Sequence, residues 1–338
     1  MTKNVFRCVP VCCAVLLFCV WARAAEVSPA PAWIHVSKAP APLFDDPIWH
    51  GAADPFVVWM PGKGAARRGE WWMYYTQRRA AIPNPVGVNW CHGTAIGIAT
   101  SQDGIHWKYI GICKGGHGLG DPLRARVTWW APCFAWQKSG LQMFVVEVHG
   151  IFNGWTGRAT IEHFSSKDGV HWNFVSTVPL SSSRCIDPTL WKIKGKWYMW
   201  YKDEHHGSHI WMAQSTHLNH WSGDRQVVAW PSQEAPYVWR WHHAFWMITD
   251  TDTHGLRIYR SQTGTGNWVY NSTVLARANG RRPRDNSPGH HPAIVMQHGQ
   301  CVLFYFSQFG RRSYIQIAKL IVGPKGKVKC LRNEYAPH

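Results

Sequence analysis

The sequence predicts an all-β fold: a five-bladed β-propeller whose four-stranded antiparallel blades surround a central channel. Three observations predict it. A segment opening on an X-Pro pair and an apolar run recurs five times, at Asp54-Pro55-Phe56-Val57, Ala131-Pro132-Cys133-Phe134, Asp187-Pro188-Thr189-Leu190, Ala235-Pro236-Tyr237-Val238 and His291-Pro292-Ala293-Ile294. The five prolines lie 77, 56, 48 and 56 residues apart, the chain length that four short strands and their turns require. No apolar period of 3.6 residues is sustained anywhere.

The elements follow in chain order. Residues 1–25 read as a signal peptide. Lys3 and Arg7 precede an apolar run over 9–20, and Ala22-Arg23-Ala24-Ala25 offers small residues for cleavage. That run is too short to span a bilayer. A secreted or periplasmic protein without stable membrane insertion is therefore expected. Residues 26–52 form an extended lead-in rich in Pro and Ala, in which Trp33-Ile34-His35-Val36 is a candidate outer strand. One propeller domain then occupies 53–338. Second strands are expected at 71–76, 143–148, 196–201, 244–249 and 301–306, and third strands at 94–100, 160–164, 209–213, 256–259 and 314–319. They are rich in β-branched and aromatic residues and bounded by Gly, Asn or Asp. After the third strand, Ser101-Gln102-Asp103-Gly104-Ile105-His106-Trp107 matches Ser166-Lys167-Asp168-Gly169-Val170-His171-Trp172, with degenerate copies at 215–221 and 261–268. The Asp-Gly pair makes a tight turn and the Trp packs between blades, so these Asp and His residues are structural. Loops at 83–91 and 276–289 exceed what a hairpin needs, and long loops on a rigid scaffold carry specificity.

Beyond residue 25 six cysteines remain, Cys91, Cys113, Cys133, Cys185, Cys301 and Cys330. An exported chain with six cysteines admits three disulfides. Cys91–Cys113, closing a long insertion, and Cys301–Cys330, tying down the C-terminal tail, are the favoured pairs. No CxxC spacing suggests a metal cluster. The formal charge is +17, or +14 beyond residue 25, which favours anionic partners. The basic residues are scattered, without a helical stripe or a nucleic-acid-binding signature, so nucleic acid is not an expected partner. Most of the 23 Trp belong to repeat positions and to packing. Trp129, Trp130, Trp239 and Trp241, beside blade openings, are candidate platforms for stacking on a sugar.

The chemistry concentrates in three carboxylates, Asp54, Asp187 and Glu234, each in a blade opening. First strands line the axis of a propeller, so these three converge although 180 residues separate the first from the last. Only 19 residues of 338 are acidic, which gives three at blade openings more weight. Inverting glycoside hydrolysis needs a protonated carboxyl for the leaving oxygen and a carboxylate to activate water, roughly 6.5–9.5 Å apart. A third carboxylate beside the acid raises its pKa. The competing reading is that these residues only cap strands.

The motifs Asp54-Pro55, Trp130-Ala131-Pro132, Asp187-Pro188, Glu234-Ala235-Pro236 and Gly289-His290, one per blade and in order, resemble the five-bladed propeller glycosidases of glycoside hydrolase family 43 and relatives, over roughly residues 53–322. The resemblance implies an exported glycoside hydrolase with Asp54 as general base, Glu234 as general acid and Asp187 tuning the acid. It implies a carbohydrate substrate, which the charge suggests is anionic, and no required cofactor. His290 matches a position that in some relatives helps hold a structural calcium through water, although calcium prefers oxygen ligands. Substrate contacts are expected from Trp130, His149, His290, His291 and Arg311. Glu147, Lys202, Asp203, Glu204, Asp250 and Asp252 are rim candidates. Cys133 departs from the pattern, since the family commonly has Asp there. Two alternatives stay open: a non-catalytic carbohydrate-binding propeller, and a propeller phosphorylase or transferase that holds phosphate through Arg311-Arg312 or Arg124 and Arg126.

Overall fold

The computed structural model describes residues 31–62 and 69–334; the expected signal peptide at 1–25 lies outside the described residues. Blade 1 consists of β1 (Ala52–Met60), β2 (Glu70–Gln77), β3 (Ala95–Ser101) and β4 (Lys108–Ile112). A two-residue strand, β5 (Lys114–Gly115), then crosses to pair in parallel with the outer strand of blade 2. Blade 2 is β6 (Thr128–Gln137), β7 (Gly140–Val148), β8 (Ala159–Ser166) and β9 (His171–Thr177). Blade 3 is β10 (Cys185–Ile193), β11 (Lys196–Asp203), β12 (His209–Ser215) and β13 (Ser222–Val228). Blade 4 is β14 (Glu234–Trp241), β15 (Ala244–Asp250), β16 (Leu256–Ser261) and β17 (Val269–Val274). Blade 5 is β18 (His290–Gln297), β19 (Gln300–Phe309), β20 (Arg312–Val322) and β21 (Val328–Cys330). Within each blade the strands pair with their chain neighbours, as the five-bladed reading requires.

The core is divided into wedges between blades. Tyr74, Ile98, Phe134 and Trp172 fill the space between blades 1 and 2. Phe144, Met199 and Trp221 fill the next gap, and Trp200, Met212, Met247 and Tyr259 the third. Trp239, Trp246, Leu303 and Tyr305 join blades 4 and 5. Trp129 and Trp239 are fully buried and Trp241 nearly so, which removes these three from the list of sugar platforms; they are blade packing. The Asp-Gly turns behave as structure. The Asp103 carboxylate accepts from the backbone of Ile105 and His106 and pairs with His106 Nδ1 at 2.7 Å. Asp168 repeats this with Val170 and His171. The indoles of Trp107 and Trp172 donate back to Gly104 and Gly169.

The lead-in closes the ring. Instead of the expected strand at Trp33–Val36, the segment forms a single 3-10 turn at Val36–Lys38. Its backbone is claimed by side chains from the two blades it bridges. Ile34 N–H donates to Gln297 Oε1 at 2.9 Å, and Gln297 Nε2 and Trp71 Nε1 both donate to Ala32 O. Buried Arg282 donates to the carbonyls of Ala39, Pro40 and Ile317 at 3.0, 2.6 and 2.9 Å. Ile34, Val36, Leu43 and Phe44 fill the wedge between blades 5 and 1.

The two favoured disulfides are corrected. All six cysteines are free thiols. Cys301 and Cys330 both lie opposite Leu320, on either side of it. Two strand spacings, about 10 Å, exceed the reach of a disulfide. The tail is tied instead by buried Arg332, which pairs with Asp285 at 2.8 Å while Tyr305 donates to the same carboxylate. Cys91 and Cys113 belong to different packing clusters. The insertion after β2 is closed by Arg79, which donates to His92 O at 2.7 Å and Asn89 O at 3.0 Å.

Removing Arg282 leaves three carbonyls short of a donor. Arg282→Ala should therefore cost about 3 kcal/mol and lower the thermal midpoint by roughly 5 °C or more. A calorimetric midpoint unchanged from the parent would show that the lead-in does not hold the ring closed.

Candidate active site

Every inner strand breaks register at its X-Pro pair. The shifts lie between Ala53 and Phe56, Trp130 and Cys133, Ile186 and Thr189, Glu234 and Tyr237, and His290 and Ala293. In each bulge the residue before proline is left-handed: Asp54 at φ 50°, Ala131 at 44°, Asp187 at 57°, Ala235 at 50° and His291 at 40°. Proline has no N–H for the ladder, so a bulge is where a strand can hold it. A bulge also re-aims a side chain. Here it places Asp54, Asp187, Glu234 and His291 on one cavity of about 930 Å³, within the size range of small-molecule sites.

Second strands end beside these openings. Lys202 on β11 lies opposite Ile186, and Asp250 on β15 opposite Glu234. In blade 1 that place belongs to Thr76, opposite Ala53, and Arg78, just after β2, lies two residues further on. Its Nη2 lies 3.3 Å from Asp54 Oδ1, and its Nη1 donates to Gln308 Oε1 at 3.3 Å. The guanidinium lies over the Phe306 ring, 4.7 Å from its centroid. His291 Nδ1 approaches the same Asp54 oxygen at 3.4 Å. Burial works against the Arg78 charge, and the carboxylates around it, Asp54 first, more than offset that.

Asp187 and Glu234 form a pair across the seam of blades 3 and 4. The backbone N–H of Ala235 donates to Asp187 Oδ2 at 3.1 Å, fixing Asp187 beside the preceding Glu234. Lys202 Nζ bridges Glu234 Oε2 at 2.9 Å and Glu204 Oε1 at 3.0 Å, and Arg184 pairs with the other Glu204 oxygen. Burial first, then the charges of Glu234 and Asp54, push the Asp187 carboxyl well above the usual range. Burial also pushes Glu234 upward, but the Lys202 ammonium, His291 and Arg78 outweigh it and hold Glu234 below its ordinary value. Within the pair Asp187 is thus the carboxyl pushed upward and Glu234 the one held down by its cationic neighbours. Glu234 is the open member, with its side chain 38% exposed to the cavity.

The other candidates divide. Trp130 and His291 line the cavity, as do Lys202, Glu204, Asp250 and Asp252. Trp130 is held by its indole N–H donating to Cys91 O at 2.7 Å. His149, Glu147, Asp203 and Arg311 are not among the lining residues. Asp203 is spent on Ser181, Ser182 and His206, and Arg311 on the carbonyl of Ile82. His290 sits behind the wall, with Nδ1 3.2 Å from Asp250 Oδ2 and its ring stacked on Phe306. The surroundings of His290 do not fit a calcium ion. Its one carboxylate neighbour is already paired to it, and the Arg78 guanidinium shares the same phenyl ring.

The sequence reading missed Arg78, Arg184, Arg257, Trp155 and Trp230 among the lining residues. Arg78 and Arg184 look like ordinary members of a scattered basic set. Arg78 nevertheless holds the position in blade 1 that Glu204 and Asp252 hold in blades 3 and 4, two residues beyond Lys202 and Asp250, a repeat signal that was available. Trp155, 57% exposed, and Trp230, 80% exposed, stand on the cavity rim. Both lie in loops outside the repeat, where periodicity carries no information.

No protein-family model matches the sequence, and no curated protein matches it. Solved structures do. A thermostable family-43 glycoside hydrolase superposes on 87% of this chain and 98% of its own, with a TM-score of 0.62 at 15% identity. A family-43 β-1,3-galactosidase with galactodeoxynojirimycin covers 86% and 99%, with a TM-score of 0.62 at 14% identity. A family-43 β-xylosidase/α-arabinofuranosidase from a compost microbial metagenome, with xylotriose and calcium-free, covers 85% and 95%, with a TM-score of 0.62 at 15% identity. Over 85–87% of its length the chain has the five-bladed fold of these family-43 enzymes.

Proposed function

We propose that this chain is an exported glycoside hydrolase that cleaves a poly- or oligosaccharide with inversion at the anomeric carbon. The observation that carries the proposal is the shared cavity. Asp54 on blade 1 and the exposed Glu234 on blade 4 open into it, Glu234 backed by Asp187. The fold likeness to family-43 enzymes supports the same reading.

In this mechanism Asp54 removes a proton from water as its oxygen bonds to the anomeric carbon. Arg78 and His291 orient the carboxylate. The glycosidic C–O bond breaks as Glu234 delivers a proton to the departing oxygen. Asp54 then loses its proton to solvent and the Asp187–Glu234 pair regains one proton from solvent, which restores the starting state. Delivery requires the proton to sit on Glu234, whereas Lys202 favours its anion. Lys202 has a second partner in Glu204, and withdrawal toward it as a leaving group approaches lets Glu234 take the proton held by Asp187. Trp130 and Trp155, 5.9 Å apart, offer apolar surface to a sugar on one side and Trp230 on another. Arg257 lines the cavity, reaching the Tyr259 hydroxyl at 3.1 Å and lying over the Tyr270 ring. It has no carboxylate partner among the described residues, which suits a uronate- or sulfate-bearing sugar. Neither Arg311-Arg312 nor Arg124 and Arg126 line the cavity, so the phosphorylase alternative lacks its phosphate-binding residues there.

A panel of neutral and uronate-bearing aryl glycosides and oligosaccharides, read for released phenol and reducing sugar, tests this directly. Turnover is expected, with at least one anionic member preferred. On the best substrate, Asp54→Asn should cut kcat about 10³-fold with binding retained. Glu234→Gln should damage poor leaving groups far more than activated aryl ones. Binding across the panel without turnover would instead establish the non-catalytic propeller.

The Lys202 ion pair generates a signed pH dependence. An opposite charge in contact depresses a carboxyl pKa by about 1–3 units, so removing it lets Glu234 rise. Lys202→Met should move the alkaline limb of the kcat/KM profile, which reports the free protein's acid, to higher pH by about one unit or more. A limb that stays in place, or moves down, would remove Lys202 from control of the acid.

A further inference from the structure

A second cluster of ionisable groups lies outside the cavity, on blade 2. Glu147 is the last residue but one of β7, His149 follows the strand, and Glu162 lies on the neighbouring β8. One ligand atom from each falls within 4.8 Å of the others. Glu147 and Glu162 are buried, and His149 is partly exposed.

The hydrogen bonds determine which atoms are left over. Thr160 has one hydroxyl proton, and it goes to Glu162 Oε1 at 2.6 Å. The Thr160 oxygen must then accept from His149 Nε2, 2.7 Å away. That fixes the proton of the neutral ring on Nε2 and leaves a lone pair on Nδ1. Nδ1 faces Glu147 Oε1 at 3.7 Å, too far for a hydrogen bond. Two acceptors thus face each other with no donor between them. The Glu147 side chain is only 8% exposed, and no hydrogen bond reaches its carboxylate among the described residues. Glu162 is held on both oxygens, by Thr160 and by Thr177 at 2.7 Å.

We propose that Glu147, His149 and Glu162 bind a first-row divalent cation of the Zn²⁺ type, with Nδ1 of His149 and one oxygen of each carboxylate as ligands. The donor set of one imidazole and two carboxylates suits zinc rather than calcium, which takes six to eight oxygens. The His149–Thr160–Glu162 chain supplies the outer contact that orients a ligating imidazole. Tetrahedral ligands at zinc distances stand about 3.3 Å apart, so a small side-chain closure completes the site. The site sits at the root of the 149–158 loop that carries Trp155 to the cavity rim. The same loop is anchored through Gly157 O, which accepts from Arg184. A bound cation would brace the loop that presents this aromatic surface.

The test uses the full chain after chelator treatment, titrated calorimetrically with Zn²⁺ and, in separate arms, with Ca²⁺ and Mg²⁺. One Zn²⁺ site is expected that Glu147→Gln, His149→Ala and Glu162→Gln each weaken at least tenfold. At 100 times the dissociation constant, Zn²⁺ should raise the parent's thermal midpoint by about 4 °C, and the Glu147→Gln protein's by much less. Absence of binding up to about 1 mM, as for a carboxyl pair that merely shares a proton, overturns the proposal. So does a Zn²⁺ isotherm unchanged by Glu147→Gln and His149→Ala together, or Ca²⁺ binding that matches Zn²⁺ in strength.

Discussion

The site depends on one backbone constraint: a left-handed residue placed before proline in the inner strand of every blade. Such a conformation costs an L-residue about 1–2 kcal/mol. Five of them together approach the net stability of a folded domain. The blades hold them because each bulge is clamped between a second strand and the wedge of the next blade. The bulge turns Asp54, Asp187 and His291 out of the pleat and into the axis, and it leaves Glu234 facing them. In blade 2 the same bulge carries Ala131, and that sector presents Trp130 instead of a charge. One geometric device, filled with different side chains, thus gives a charged sector and an apolar sector to a single cavity.

The electrostatics follow from how few acids this basic chain has. Carboxylates gathered at the axis must be compensated or protonated, and the cavity uses both solutions. Arg78 pairs with Asp54 and Lys202 with Glu234, while the Asp187 carboxyl is pushed upward. A like-charge argument alone leads to a raised Glu234. The Lys202 contact at 2.9 Å reverses that direction, because an opposite charge in contact outweighs the neighbouring carboxyl.

The fold was legible because it repeats. X-Pro spacing and the Asp-Gly-x-His-Trp turns report blade after blade, and the strands lie where they predict. Asp54 and Asp187 were legible for the same reason, each in the slot before its proline, and Glu234 lies one residue earlier in the opening of its blade. The residues outside the repeat were not. Trp155 and Trp230 reach the rim from loops of no fixed period. The partners that close the insertion and the tail, Arg79 and Arg332, are buried arginines, a role that cysteine counting assigned to disulfides. His149 follows directly on a second strand, as Arg78 and Glu204 do, yet blade 2 turns it toward Thr160 rather than the axis.

In the proposed mechanism Asp54 and Glu234 act on a sugar from opposite faces, one through water. The most direct test is proton NMR of the anomeric signal of the first-formed product, recorded before mutarotation. The first sugar to appear should carry the anomeric configuration opposite to that of the substrate. A first-formed product of unchanged configuration would mean a covalent glycosyl intermediate, and would contradict the roles drawn for both carboxylates.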